Sequence, residues 1–184
     1  QAAGGRPQAV EEFLAGQKHG AEWGLAGYLE RRDTLLRLYP QMVADKRFFH
    51  LGLDIIVPRG AALHAPLDAH VLDTGHETGP GNYGGCAFLM HTGRGINSFY
   101  SFYGHLDPDS LPPRGKGLAR GEAFTQVGGH AHNGHWFHHT HLQVITQAGL
   151  ERGYQFKGYC SAKQLADIPD LCPDPLPLFR ARWA

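Results

Sequence analysis

Between Phe48 and Ile145 apolar and polar residues alternate in short runs, and Gly, Pro, Asn or Asp cuts off each run. "FFHLGLDIIV", "HAPLDAHVLDTG", "GCAFLMHTG", "INSFYSFYGHL" and "THLQVIT" are the runs. A period of two sends alternate side chains to opposite faces of a strand, whereas a helix needs apolar residues at i, i+3 and i+4. The segment therefore predicts a mainly β fold, an antiparallel β core with no helix between about 50 and 145. The flanks read differently. "AVEEFLAGQKHG" sets Val10, Phe13 and Leu14 at helical spacing, and "WGLAGYLERRDTLLRLYP" does the same with Leu25, Tyr28, Leu29, Leu35, Leu36 and Leu38. One or two helices are expected before residue 40. "KGYCSAKQLADIPDLCPDPLPLF" is a Pro-rich tail with room for one short helix near 161–167.

The chain has 184 residues, 42% apolar and 18% charged, enough for one domain with a real core. Its expected organisation is a helical extension over 1–40, a core over 41–150, and a tail over 151–184 packed on that core. Lys+Arg and Asp+Glu are both 17, so no basic excess points to nucleic acid. No apolar run approaches the ~20 residues of a membrane-spanning helix. The opening "QAAGGRPQAV" lacks Met and the charged and apolar regions of a signal peptide, which leaves the compartment open. Three cysteines do not make a disulfide framework. Cys86, in "CAFLM", reads as a buried thiol, while Cys160 and Cys172 are either paired or free.

The unusual count is histidine, at 13, six of them in "GHAHNGHWFHHTHLQV". Alternation sorts them. In "HLGLDIIV", His50, Gly52 and Asp54 share one face, and Leu51, Leu53, Ile55 and Val57 take the core face. His50 and Asp54 would lie roughly 13 Å apart along an ideal strand, so the chain must bend near Gly52 if both bind one ion. In "HTHLQVIT", His139, His141 and Gln143 share a face opposite Thr140, Leu142 and Val144. In "SFYGHLDP", Tyr103 and His105 are expected on one face, Phe102 and Leu106 on the other. His130, His132 and His135 lie among Gly and Asn and read as loop residues; His138 belongs to the apolar side or the preceding turn. His64, His70, His76 and His91 read as structural or solvated. A His/Asp pair, a His-x-His strand and an isolated histidine are plausible zinc chemistry: three protein ligands, an open position, and imidazoles left over to move protons.

These motifs, in this order, resemble the lysostaphin-type (LytM-like) zinc endopeptidases, which cut peptide bonds in peptidoglycan. The matching elements are "HLGLD", "PRG", "HAPLDAHV", "YGHL" and "HTHLQV", from about Phe48 to Ile145. The resemblance implies that His50, Asp54 and His141 hold Zn2+, and that His105 and His139 are the two unliganded catalytic histidines. It implies an open antiparallel sheet whose groove takes an extended peptide or peptidoglycan strand, in the cell envelope or outside the cell if that is the substrate. Thr140, Leu142 and Gln143 depart from the usual His-Leu-His-Phe-Glu closure. None of them is an implied ligand, but Gln143 shares the groove face and is expected to alter the surroundings of the ligands. "NGHW" is similar to a subgroup with Asn-Gly-x-Trp before the site, and Trp136 is expected to shape one groove wall. Two other readings stand beside this one. A non-catalytic zinc-binding or regulatory module could keep the peptidase fold, and His130, His132, His135 and His138 could buffer metal at several weak sites. The N-terminal helices are expected to pack on the sheet's back or edge, or to cover the groove.

Overall fold

The alternating runs do become strands. A computed structural model describes residues 12, 16, 22–37, 39–93 and 95–180. In chain order the elements are β1 (Gly24–Ala26), α1 (Asp33–Leu36), α2 (Pro40–Ala44), β2 (Arg47–His50), β3 (Leu53–Ile56), β4 (Ala62–His64), β5 (Ala69–Glu77), β6 (Gly84–Gly93) and β7 (Ile96–Leu106). β8 (Gly117–Leu118), β9 (Ala123–Gln126), β10 (Thr140–Ile145), α3 (Gln147–Glu151), β11 (Tyr159–Ser161), α4 (Ile168–Leu171) and α5 (Pro177–Arg180) follow. Seven strands form one open sheet in the order β1-β3-β10-β7-β6-β5-β8, antiparallel throughout. β11 pairs with β2, and β4 with β9, as two smaller ribbons. The only helical turn between 50 and 145 among the described residues is the 3-10 turn Pro108–Ser110.

The sheet has an apolar cluster on each face, as strand alternation requires. Cys86, Phe88, Tyr100, Phe102 and Ile145 point one way, where Leu51, Tyr154, Ile168, Leu171 and Cys172 cover them. Ala87, Leu89, Tyr103 and Leu142 point the other way, against Val71, Leu106, Leu118 and Phe124. Burying side chains of this size stabilises the fold by about 1.5–3 kcal/mol each. The Pro-rich tail thus supplies half of one core layer. The helical piece expected near 161–167 is the 3-10 turn Ala162–Gln164, closed by a capping box between Ser161 and Gln164, and α4 and α5 follow it in the tail. All three cysteines are buried free thiols.

Two expectations need correction. The helix drawn from Leu25 to Leu38 is not continuous: Gly24–Ala26 is an edge strand on β3, and only Asp33–Leu36 is helical there. Gly24 and Gly27 each cost a helix about 1 kcal/mol, and pairing with β3 offers those residues a ladder instead. Residues 29–32 then run beside β2, with Leu29 N–H donating to His50 O (2.7 Å) and Arg32 N–H to Phe48 O (2.8 Å). Val10, Phe13 and Leu14 lie outside the described residues. The second correction is at "SFYGHL". Tyr103 faces the Phe124 side and Phe102 the His141 side, so strict alternation would turn His105 away from His141. His105 instead has φ +63°, a left-handed conformation that brings its ring back to the His141 side.

Candidate metal centre

His50 closes β2 and Asp54 lies in β3, with the chain bent at Leu51-Gly52 between them. The bend reduces the separation expected of an ideal strand to a contact: His50 Nε2 lies 3.2 Å from Asp54 Oδ1. Gly52 is required there. A Cβ on it would collide with the Leu142 carbonyl and lie 2.8 Å from His141 Cε1. His141 sits on β10 directly opposite Asp54 in the ladder. Its Nδ1 is 3.2 Å from Asp54 Oδ1 and 2.9 Å from His50 Nε2. The ligand atoms of the three residues lie within 4.8 Å of one another, and all three side chains are buried.

Hydrogen bonding decides what these atoms carry. His50 Nδ1–H donates to Gly27 O at 2.9 Å, which leaves its Nε2 as a lone pair. Gln143 amide N–H donates to Tyr154 O (3.2 Å) and Cys172 Sγ (3.3 Å), turning Oε1 toward His141 Nε2 at 3.4 Å. His141 Nε2–H is then the donor, and its Nδ1 is a lone pair. Burial pushes the His50 imidazole down against the opposing pull of Asp54. Burial would raise the Asp54 carboxyl, but facing His50, His139 and His141 it is held well below the usual carboxylate range. Two imidazole lone pairs and a carboxylate oxygen therefore converge with no proton between them. Such a set repels itself unless a cation lies among it, and nitrogen and oxygen donors of this kind suit zinc. The residues fit the ion.

His105 and His139 lie beside this set. His105 Nδ1–H donates to Asn133 O and His139 Nδ1–H to Phe137 O, at 2.9 and 2.8 Å. Both therefore present a bare Nε2, and their ring centroids are 4.3 Å apart. His139 Nε2 is the nearer to the ligands, 3.8 Å from Asp54 Oδ1. Burial pushes both imidazoles down, His105 well below the ordinary value, so both are neutral near pH 7. Asp54, His105, His139 and His141 line a cleft of about 220 Å³ walled by Tyr83, Trp136, Phe137 and Tyr159, and His50 is fully buried behind it. Trp136 does form one wall.

The remaining histidines stay apart from the centre. Among the described residues no other three His, Cys, Asp or Glu side chains converge. His91 is buried on Ser101 Oγ (2.7 Å) at the far end of β6. Several residues at the site escaped sequence reasoning. Gly27 and Asn133 act through carbonyls, which leave no trace in residue type. Arg32 reaches Asp54 from 22 positions upstream, with Nη1 2.5 Å from Oδ2. Only pairing of residues 24–32 beside β2 and β3 reveals it.

No protein-family model and no curated protein sequence matches the chain. Solved structures do. The catalytic domain of lysostaphin from Staphylococcus simulans aligns with TM-score 0.52 and 15% identity, over 84% of this chain and 96% of that one. The catalytic domain of the prophage-encoded protein EnpA from Enterococcus faecalis gives TM-score 0.50 and 15% identity, over 77% and 90%. Lysostaphin itself gives TM-score 0.50 and 14% identity over 68% of this chain, which spans 44% of lysostaphin's length. On these alignments the chain carries the fold of the lysostaphin-type peptidase domains.

Proposed function

We propose that the chain is a zinc-dependent endopeptidase, acting on peptide bonds of the cross-links or stem peptides of peptidoglycan. The observation that supports it best is the division of the five polar residues: three lone-pair donors face one point, and two further neutral imidazoles face the same cleft without ligating. A storage or structural site has no use for the second pair. Zinc, when bound, supplies a Lewis acid for the scissile carbonyl and a lowered pKa for an attacking water.

The chain's own residues would do the rest. His50, Asp54 and His141 hold the ion, with Gly27 O and Gln143 fixing the two tautomers from behind. His139 and His105 both start as bases, because each already spends its Nδ1–H on a main-chain carbonyl. One accepts the proton released by water. Once protonated, that imidazole becomes the donor available to the oxyanion or to the leaving amine. Burial favours returning the proton, so each turnover restores the neutral pair. Tyr83 and Trp136 line the cleft.

Product analysis after incubation of the zinc-loaded chain with defined muropeptides tests the substrate class. A new amino terminus at one peptide bond supports the reading. Zinc binding without cleavage of any muropeptide or peptide rejects it, and points to a module that has the fold without the activity.

A further inference from the structure

Asp54 uses its two oxygens for different partners. Oδ1 faces His50, His141 and His139, at 3.2, 3.2 and 3.8 Å. Oδ2 faces Arg32 Nη1 at 2.5 Å. The arginine is itself held. Its Nε and Nη2 donate to Glu30 Oε2 (3.2 and 3.0 Å), its Nη1 reaches Tyr159 OH at 3.4 Å, and its main-chain N–H is tied to Phe48 O. Glu30 Oε2 also accepts from Gly27 N–H at 3.1 Å, and Gly27 O is the acceptor for His50 Nδ1–H. One short segment, Gly27 to Arg32, therefore controls two of the three donor residues.

A buried ion pair of this kind is a poor stabiliser, since desolvating both partners offsets most of their attraction. Its side chains are 8% and 4% exposed. Its position is the informative part. A carboxylate free to turn can offer both oxygens to a metal, adding a fifth donor that crowds the position that water or a carbonyl uses. A planar guanidinium anchored on Glu30 blocks that rotation by occupying Oδ2.

We propose that Arg32 is a positioning residue that reserves Oδ2 for itself, fixes Asp54 as a one-oxygen ligand, and so keeps a coordination position open. The proposal rests on the zinc reading above.

Cobalt(II) tests it, because four-coordinate cobalt absorbs visible light several-fold more strongly than five-coordinate cobalt. The full chain and its Arg32→Met and Arg32→Lys variants would each be titrated with Co2+, with circular dichroism to verify folding. The parent should bind one ion with an intense four-coordinate band. Arg32→Met should still bind one ion with a band several-fold weaker, and Arg32→Lys should restore the parent intensity by returning a cation to Oδ2. A folded Arg32→Met with the parent's spectrum overturns the proposal and leaves the zinc reading standing. A parent that binds no cobalt or zinc overturns both. The infrared carboxylate bands of the zinc-loaded parent, minus those of the zinc-free chain, need no Arg32 variant. Wide splitting of the antisymmetric and symmetric stretches supports one-oxygen ligation, and narrow splitting overturns it.

Discussion

His50 Nε2 and His141 Nδ1 stand 2.9 Å apart, each with its other ring nitrogen committed as a donor to Gly27 O or Gln143 Oε1. Two lone pairs at that distance, with the Asp54 carboxylate beside them, are a stored repulsion that a cation relieves. Zinc should therefore stabilise the fold strongly. At a free concentration 1,000-fold above Kd the gain is about 4 kcal/mol. Thermal unfolding with and without zinc should show this as an upward shift, and His141→Ala should abolish it. An equal shift in His141→Ala would contradict the site.

Gln143 holds the His141 tautomer while Tyr154 O and Cys172 Sγ hold Gln143. Gln143→Leu keeps the volume and removes the acceptor behind His141. Zinc affinity, read by competition with a chromophoric chelator, should fall about 10- to 100-fold with the fold intact. Unchanged affinity would mean that the 3.4 Å contact does not orient the ring.

Gly52 sits under His141 and against the Leu142 carbonyl. Gly52→Val should displace β10 from β3 and disperse the ligands, giving a folded or destabilised chain that no longer takes up zinc. Zinc retention at parental affinity would show that the bend tolerates a side chain.

His91 gives an acid-stability prediction independent of the metal. Burial depresses its pKa from 6.5 to about 4, so the folded state resists a proton that the unfolded chain accepts. Its contribution is complete above about pH 6.5 and is lost as pH falls toward 4, amounting to about 3 kcal/mol over that window. Urea unfolding of the parent and His91→Gln from pH 7.5 to 4.5 should show the variant losing less stability on acidification. Parallel curves would contradict the depressed value.

The sheet was legible because strands depend on alternation, and the candidate ligands because their motifs depend on side-chain type and order. Period two gave the faces of His50, Asp54 and His141, and the resemblance to the lysostaphin-type peptidases singled them out as candidate ligands. His105 was named through the resemblance carried by "YGHL", and alternation put it on the wrong face: a left-handed φ of +63° at the end of β7 sets its direction. Leu25 to Leu38 read as a helix because leucines at helical spacing say nothing about the free edge of β3, which captures Gly24–Ala26. Arg32, Gly27 O and Asn133 O stayed hidden for the same reason: each reaches the site through strand pairing or a main-chain carbonyl.

The most direct test of a hydrolytic zinc centre is the release of new amino groups from purified peptidoglycan as the metal-free chain is titrated with zinc. Release should rise to a plateau at one zinc per chain. His105→Ala should take up the same single zinc and lose about 10²- to 10⁴-fold in rate. A parent with one tightly bound zinc that releases no amine, or a His105→Ala chain as fast as the parent, would contradict the account.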